Sequence, residues 1–175
     1  MNLLIFGATG SIGREIVRQA LEQGHNVTAF TRDVTKIDTK HANLQVVQGD
    51  AMEPVSIENA IQNHDVVLCS LGAGRKGTIR SKGTQNIVHA MEKKGVRRFI
   101  CQSTLGIGGS HANLNFLWKY IMFGILLRAA YADHVAQEDY VKQSQLDWTI
   151  VRPGAFTDGE HTGIYQHGFL PTNRT

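Results

Sequence analysis

The stretch Gly7-Ala8-Thr9-Gly10-Ser11-Ile12-Gly13 follows the apolar run Leu3-Leu4-Ile5-Phe6 and leads into apolar positions at helical spacing, Ile12, Ile16, Val17, Ala20 and Leu21. Strand, glycine turn and helix in that order decide the fold. Gly7 permits the tight turn, Gly10 lets a diphosphate approach the backbone, and Gly13 lets helix and strand pack closely. Thr9, Ser11 and Ile12 lie inside the turn and offer their main chain to the same ligand. The helix start beyond them presents free N–H groups and about half a positive charge to an anion. The spacing is G-x-x-G-x-x-G, with Ala8 where the usual dinucleotide pattern G-x-G-x-x-G would have its first glycine. The competing reading is a glycine turn that binds nothing.

Working outward, Asn26–Thr31, Leu44–Gln48, Asp65–Cys69, Arg98–Gln102 and Trp148–Val151 read as further strands. Between them lie a helix starting at Pro54, a second over Thr84–Met91 closed by Gly95, and a third near Tyr131–Ser144. Strands alternating with helices at short intervals predict an α/β Rossmann-type doubly wound parallel sheet in the order 3-2-1-4-5-6, with helices on both faces. Asp65–Cys69 is a continuous apolar run, of the kind buried on both faces. After Pro153 no further strand or helix is evident. The whole chain, 1–175, reads as one NAD(P)-binding domain whose substrate side comprises 103–145 and 152–175.

Composition agrees with that reading. The chain has 175 residues, 42% hydrophobic and 19% charged, with a formal net charge of +3. These values fit one globular domain with a sizeable core. The basic residues are dispersed, so nucleic acid is not an expected partner. The two cysteines, Cys69 and Cys101, fall near strand ends and read as buried free thiols, and no His/Cys spacing suggests a metal. The first strand begins at once, leaving no room for a signal peptide, and a cytoplasmic location is expected. The apolar run Phe116–Leu127 is too short to span a bilayer and carries Lys119. It reads as a helix buried against the domain or a partner subunit, with core packing the default for Phe116, Trp118, Ile121, Phe123 and Leu126 and a substrate cleft or dimer seam the alternatives. A monomer or homodimer acting on a small molecule, without nucleic acid or membrane, is the expected state.

Arg32 arrives first after the second strand, where NAD sites place an acidic residue. An arginine there can grip a 2′-phosphate through two charge-assisted bonds, which favours NADP (NADPH) over NAD. Arg14 can add to that preference. A solvated Arg32, or Asp33 turning inward to serve NAD, are the alternatives. Asp50, after the third strand, is a candidate partner for the adenine amino group or a turn residue capping the next segment. The loop after the fourth strand, with Leu71, Gly72 and Ala73, passes under the cofactor.

With Gly7–Gly13, Arg32, Gly49-Asp50, Ser103 and Val151-Arg152-Pro153-Gly154, the chain resembles the atypical short-chain dehydrogenases/reductases over residues 1 to about 157. The resemblance is to the NAD(P)H-binding subgroup that includes NmrA-like proteins and flavin/biliverdin-IXβ reductases. It implies an extended NADP along the strand ends, with Ser103 and Thr104 beside the nicotinamide and Pro153 against its carboxamide. It also exposes a departure. Catalytic members use a Tyr-x-x-x-Lys pair, and none of Tyr120, Tyr131, Tyr140 or Tyr165 has lysine four residues later. Aligning His134-Val135-Ala136-Gln137-Glu138 with the family's lysine segment puts His134 at the lysine position and Ala130 at the tyrosine position. The flavin/biliverdin reductases lack the pair too, with a histidine in a similar region. Ser103 and His134 are therefore the candidate catalytic side chains. A serine bonding its own loop and a helix-surface histidine are their plainer readings, and Glu138 can pair with His134 or with a nearby cation.

The leading expectation is an NADPH-dependent oxidoreductase passing hydride to a flavin-, quinone- or carbonyl-type acceptor. The competing one is a non-catalytic NADP-binding redox sensor of the NmrA-like kind. Epimerase or dehydratase chemistry on nucleotide sugars is disfavoured by the missing Tyr/Lys pair and the short C-terminal part.

Overall fold

The structure is a computed structural model that describes residues 1–72, 74, 77–154, 156, 163 and 168. Six parallel strands form one sheet in the order β3-β2-β1-β4-β5-β6. They are β1 Asn2–Phe6, β2 Asn26–Thr31, β3 Leu44–Gln48, β4 Val66–Cys69, β5 Arg98–Gln102 and β6 Asp147–Val151. The helices are α1 Ser11–Glu22, α2 Pro54–Ile61, α3 Ile79–Lys94 and α4 Arg128–Gln143. Predicted order and strand positions agree with these to within a residue at each end.

Alternation along each strand divides the core in two. Leu4, Phe6, Val67, Phe99 and Cys101 face α2, α3 and α4, meeting Ile57, Ile61, Ile87, Met91 and Val141. Leu3, Ile5, Val27 and Ala29 face α1, meeting Val17, Ala20 and Leu21. On that second face α1 covers β1 and β2, so Val66 and Leu68 of β4 are only half-buried. The expectation that β4 is buried on both faces is corrected accordingly. Cys69 and Cys101 are free, buried and directly opposite each other across β4 and β5.

Two further corrections concern helices. α3 begins five residues before the predicted Thr84. Its first turn, at Ile79–Lys82, follows a stretch whose glycine-rich basic composition signals a loop, and a left-handed Thr78 (φ 86°) precedes it. A cap from outside that stretch makes the turn. Asp133 of α4, 53 residues away, accepts from the Arg80 and Ser81 amides at 3.1 and 2.9 Å and from the Ser81 hydroxyl at 2.6 Å. These are the orphan donors of a helix start.

The apolar run folds as a π-helical segment, Leu117–Leu126, not as a core helix. Phe123 packs on Tyr131 and Trp118, whereas Phe116 is 71% and Ile125 72% exposed, with Leu117, Tyr120, Ile121 and Leu126 also outward. Core packing is therefore wrong for Phe116, Ile121 and Leu126: among the described residues the segment meets the domain through its Phe123 side. Among the described residues no helix is long and apolar enough to cross a membrane, and no cluster of three His, Cys, Asp or Glu side chains could hold a metal. Most of 152–175, including His161 and His167, lies outside the described residues.

α4 is fastened to the segment after β6 by a buried ion pair. Glu138, 0% exposed, accepts from Arg152 Nε at 2.7 Å and Nη2 at 2.6 Å, and from Lys142 Nζ at 2.8 Å. Burial opposes its charge, but the two cations and the neighbouring Ser103 hydroxyl prevail and hold its pKa at about 2 instead of 4.5. Of the two expected partners for Glu138, the structure selects the cations. Because the folded-state value is depressed, this stabilisation is present above pH 4.5 and is lost as pH falls toward 2. Glu138→Ala, which strands Arg152, is expected to cost roughly 3–5 kcal/mol in chemical denaturation at pH 7. That penalty shrinks when the same comparison is made at pH 3, and an equal penalty at both values would contradict the pairing.

Candidate functional site

The cleft at the carboxyl ends of the strands has a volume of about 460 Å³ and lies where the strand order reverses between β1 and β4. That is the ligand position expected for an open parallel sheet. Its floor is the glycine turn. Gly7 has φ +83°, and a Cβ there would stand 2.5 Å from Ser70 O; a Cβ on Gly13 would stand 2.0 Å from Gly7 O. At Gly10, which lines the cleft, an added Cβ would meet one atom among the described residues, Gly7 O, at 3.3 Å. α1 starts at Ser11 with no side-chain cap and no acidic residue in its first turn, so its leading N–H groups are left for a ligand. A diphosphate fits this cradle.

The cleft gathers Gly7, Thr9, Gly10, Ser11 and Ile12 with Arg32, Asp50, Leu71, Gly72 and His134. Gly13 lies behind the turn as a spacer, and Ala73 is outside the described residues. At the outer end Arg32 and Lys36 supply two cations. Asp33 Oδ1 is held by the Thr35 amide (3.1 Å) and hydroxyl (2.6 Å), bonds that lower its pKa, so it caps the turn Val34–Lys36. Asp50 both lines the cleft and accepts from the Met52 amide at 2.9 Å. Arg14 is engaged elsewhere, bonding the Thr9 and Lys36 carbonyls at 3.2 and 3.0 Å.

At the inner end stand Ile79, Arg80, Gln102 and His134. His134 is half-buried, and its Nδ1 lies 3.1 Å from Gln137 Oε1. Gln137 Nε2 donates to Thr84 Oγ1 at 3.1 Å, and Thr84 in turn contacts Cys69 Sγ at 3.6 Å. Burial, reinforced by the Arg80 charge, lowers the His134 pKa below 6.5, so the ring is neutral at pH 7.

Ser103 is 2% exposed and is absent from the cleft lining, as are Thr104 and Pro153. The reason is backbone pairing: Ser103 N donates to Val151 O at 2.8 Å and Leu105 N to Pro153 O at 2.9 Å, continuing the β5–β6 ladder. The Ser103 hydroxyl thereby faces Glu138, without meeting hydrogen-bond geometry with it. Pro153 lines a separate apolar groove of about 170 Å³ on the α1 side of the sheet, sharing Ile12 and Gln102 with the main cleft. Sequence reasoning missed Arg80 and Gln102. Gln102 is the last residue of a correctly placed strand, a position that points into such a cleft, whereas Arg80 carried no sequence signal.

A family model described as NAD(P)H-binding matches residues 7–172. An uncharacterized chloroplastic protein of Arabidopsis thaliana is 33% identical over 176 residues, covering 92% of this chain and 61% of the relative. The chain therefore spans about three-fifths of that relative's length. The oxidoreductase ylbE from Lactococcus lactis superposes with a TM-score of 0.79 at 26% identity, covering 94% of this chain and 74% of that one. ChuY, an anaerobillin reductase from Escherichia coli O157:H7, does so with a TM-score of 0.76 at 26% identity, covering 93% and 77%. Sheet order, glycine cradle and matched residues together make this chain a member of the NAD(P)H-binding family of atypical short-chain dehydrogenases/reductases.

Proposed function

We propose that the protein is an NADPH-dependent reductase that passes hydride to a flavin-, quinone- or carbonyl-type acceptor without a Tyr/Lys pair. The observation that carries the reading is the make-up of the inner cleft: a neutral histidine, a glutamine and an arginine, with buried Ala130 at the family's tyrosine position. The reductase and oxidoreductase among the structural neighbours support it.

Each group then has a task. The turn amides and α1 start hold the diphosphate; Arg32, with Asp33 occupied, receives the 2′-phosphate; Asp50 serves the adenine; Leu71 and Gly72 support the cofactor from below. Ser103, Thr104 and Pro153 shape the nicotinamide end from behind, with residues 103–145 contributing to the substrate side. When bound, the nicotinamide supplies the hydride, and the protein contributes position and electrostatics. His134, held through Nδ1, presents its other nitrogen as an acceptor at pH 7, so it orients an acceptor or relays a proton from water.

Arg32→Ala is expected to weaken NADPH binding roughly ten- to a hundredfold, the worth of one charge-assisted bond, and to leave NADH nearly unchanged. Equal losses in a fluorescence titration would contradict the assignment. NADPH oxidation followed at the nicotinamide band, across flavins and quinones, is expected to saturate with at least one acceptor. Tight NADPH binding with turnover on none would favour the sensor. His134→Ala is expected to lower kcat by less than about tenfold; a loss of 10²–10⁴, the range for a required general acid, would overturn the mechanism.

A further inference from the structure

Arg80 is a cation built into the cleft wall. It is 8% exposed and lies in the first turn of α3. Its guanidinium donates to Gly74 O at 3.2 Å and meets Asp133 Oδ2 at 3.5 Å. Asp133 is its counter-ion in a buried ion pair, and the same carboxylate serves the Arg80 and Ser81 amides and the Ser81 hydroxyl at shorter distances. The other buried carboxylate of α4, Glu138, is engaged by Arg152 and Lys142. The lining of the inner cleft adds Ile79, Gln102 and His134, none of which carries negative charge. Arg80 and His134 line the same cleft. A buried guanidinium that shares its counter-ion with two amides and a hydroxyl keeps further N–H donors for an anion entering its cleft, and its planar fork suits carboxylate or phosphate.

We infer that Arg80 is a specificity-determining residue that recognises an acidic group on the acceptor, so that the acceptor is a small conjugated molecule bearing a phosphate or carboxylate. This rests on the reductase reading. The outer cations, Arg32 and Lys36, lie with Asp33 and Asp50 at the opposite end of the cleft, and among the described lining residues Arg80 is the charged side chain at the inner end.

FMN and riboflavin test it, because they share one isoalloxazine ring and differ by a phosphate. The wild-type protein is expected to use FMN with a kcat/KM roughly ten- to a hundredfold above that for riboflavin. In Arg80→Met that ratio collapses toward unity, while Arg80→Lys retains part of it. The ratio within one preparation does not depend on the fraction folded. NADPH affinity, titrated separately, stays within about threefold of wild type, since a larger shift would mean a charge-assisted bond to the cofactor. Flavin fluorescence quenching by NADP⁺-loaded protein gives a second readout. Equal turnover of both flavins, a ratio unchanged in Arg80→Met, or a parallel loss of NADPH binding would each overturn the assignment. If neither flavin turns over, the reductase reading is decided by the quinones of the acceptor panel, and the quenching experiment decides Arg80: Arg80-dependent preference for FMN upholds the anion site, and its absence removes it.

Discussion

The closeness of Gly13 to the Gly7 carbonyl is the constraint on which the rest depends. The 2.0 Å that a Cβ would leave there is far inside van der Waals contact, so the α1 start can lie against the end of β1 only with glycine at both positions. That approach points the unpaired amides of the first turn into the cleft at the point where the strand order reverses. The core of Ile5, Val17 and Ala20 then holds α1 in place. A local steric condition thus fixes where an anion can be received, and both ends of the cleft are laid out from it.

α4 supplies the second organising element. Asp133, His134, Gln137 and Glu138 occupy one side of the helix, at the i, i+1, i+4 and i+5 positions that share a face. Each does a different thing there. Asp133 makes the first turn of α3, His134 enters the cleft, Gln137 ties that histidine to Thr84, and Glu138 gathers Arg152 and Lys142. Buried polar groups satisfied in this way are costly to disturb singly, and they hold the inner end of the cleft in one arrangement.

What could be read in advance follows the range of the interactions. The strands, their order and the glycine turn were legible because apolar period and turn chemistry are local. Arg32 and Asp50 were legible as the first polar residues after their strands. The first turn of α3 was not, because its cap comes from Asp133, 53 residues on. The orientation of Ser103 was hidden for a similar reason: only its backbone bond to Val151 shows that the β5–β6 ladder continues and turns its hydroxyl toward Glu138. The apolar segment Leu117–Leu126 misled because hydrophobicity alone does not say which side of a helix meets the domain, and among the described residues its Phe123 side does.

Isothermal titration calorimetry of the purified protein with NADPH, in parallel with a Gly10→Glu variant, tests the central claim most directly. A side chain at Gly10, which lines the cleft, would meet Gly7 O at 3.3 Å and ask it to give by a few tenths of an ångström, so the variant's fold is checked by circular dichroism, and its carboxylate should displace the diphosphate. The account predicts saturable heat at one nucleotide per chain for the wild type and none for the variant. No heat from the wild type with either NADPH or NADH, or unaltered binding in the variant, would contradict it.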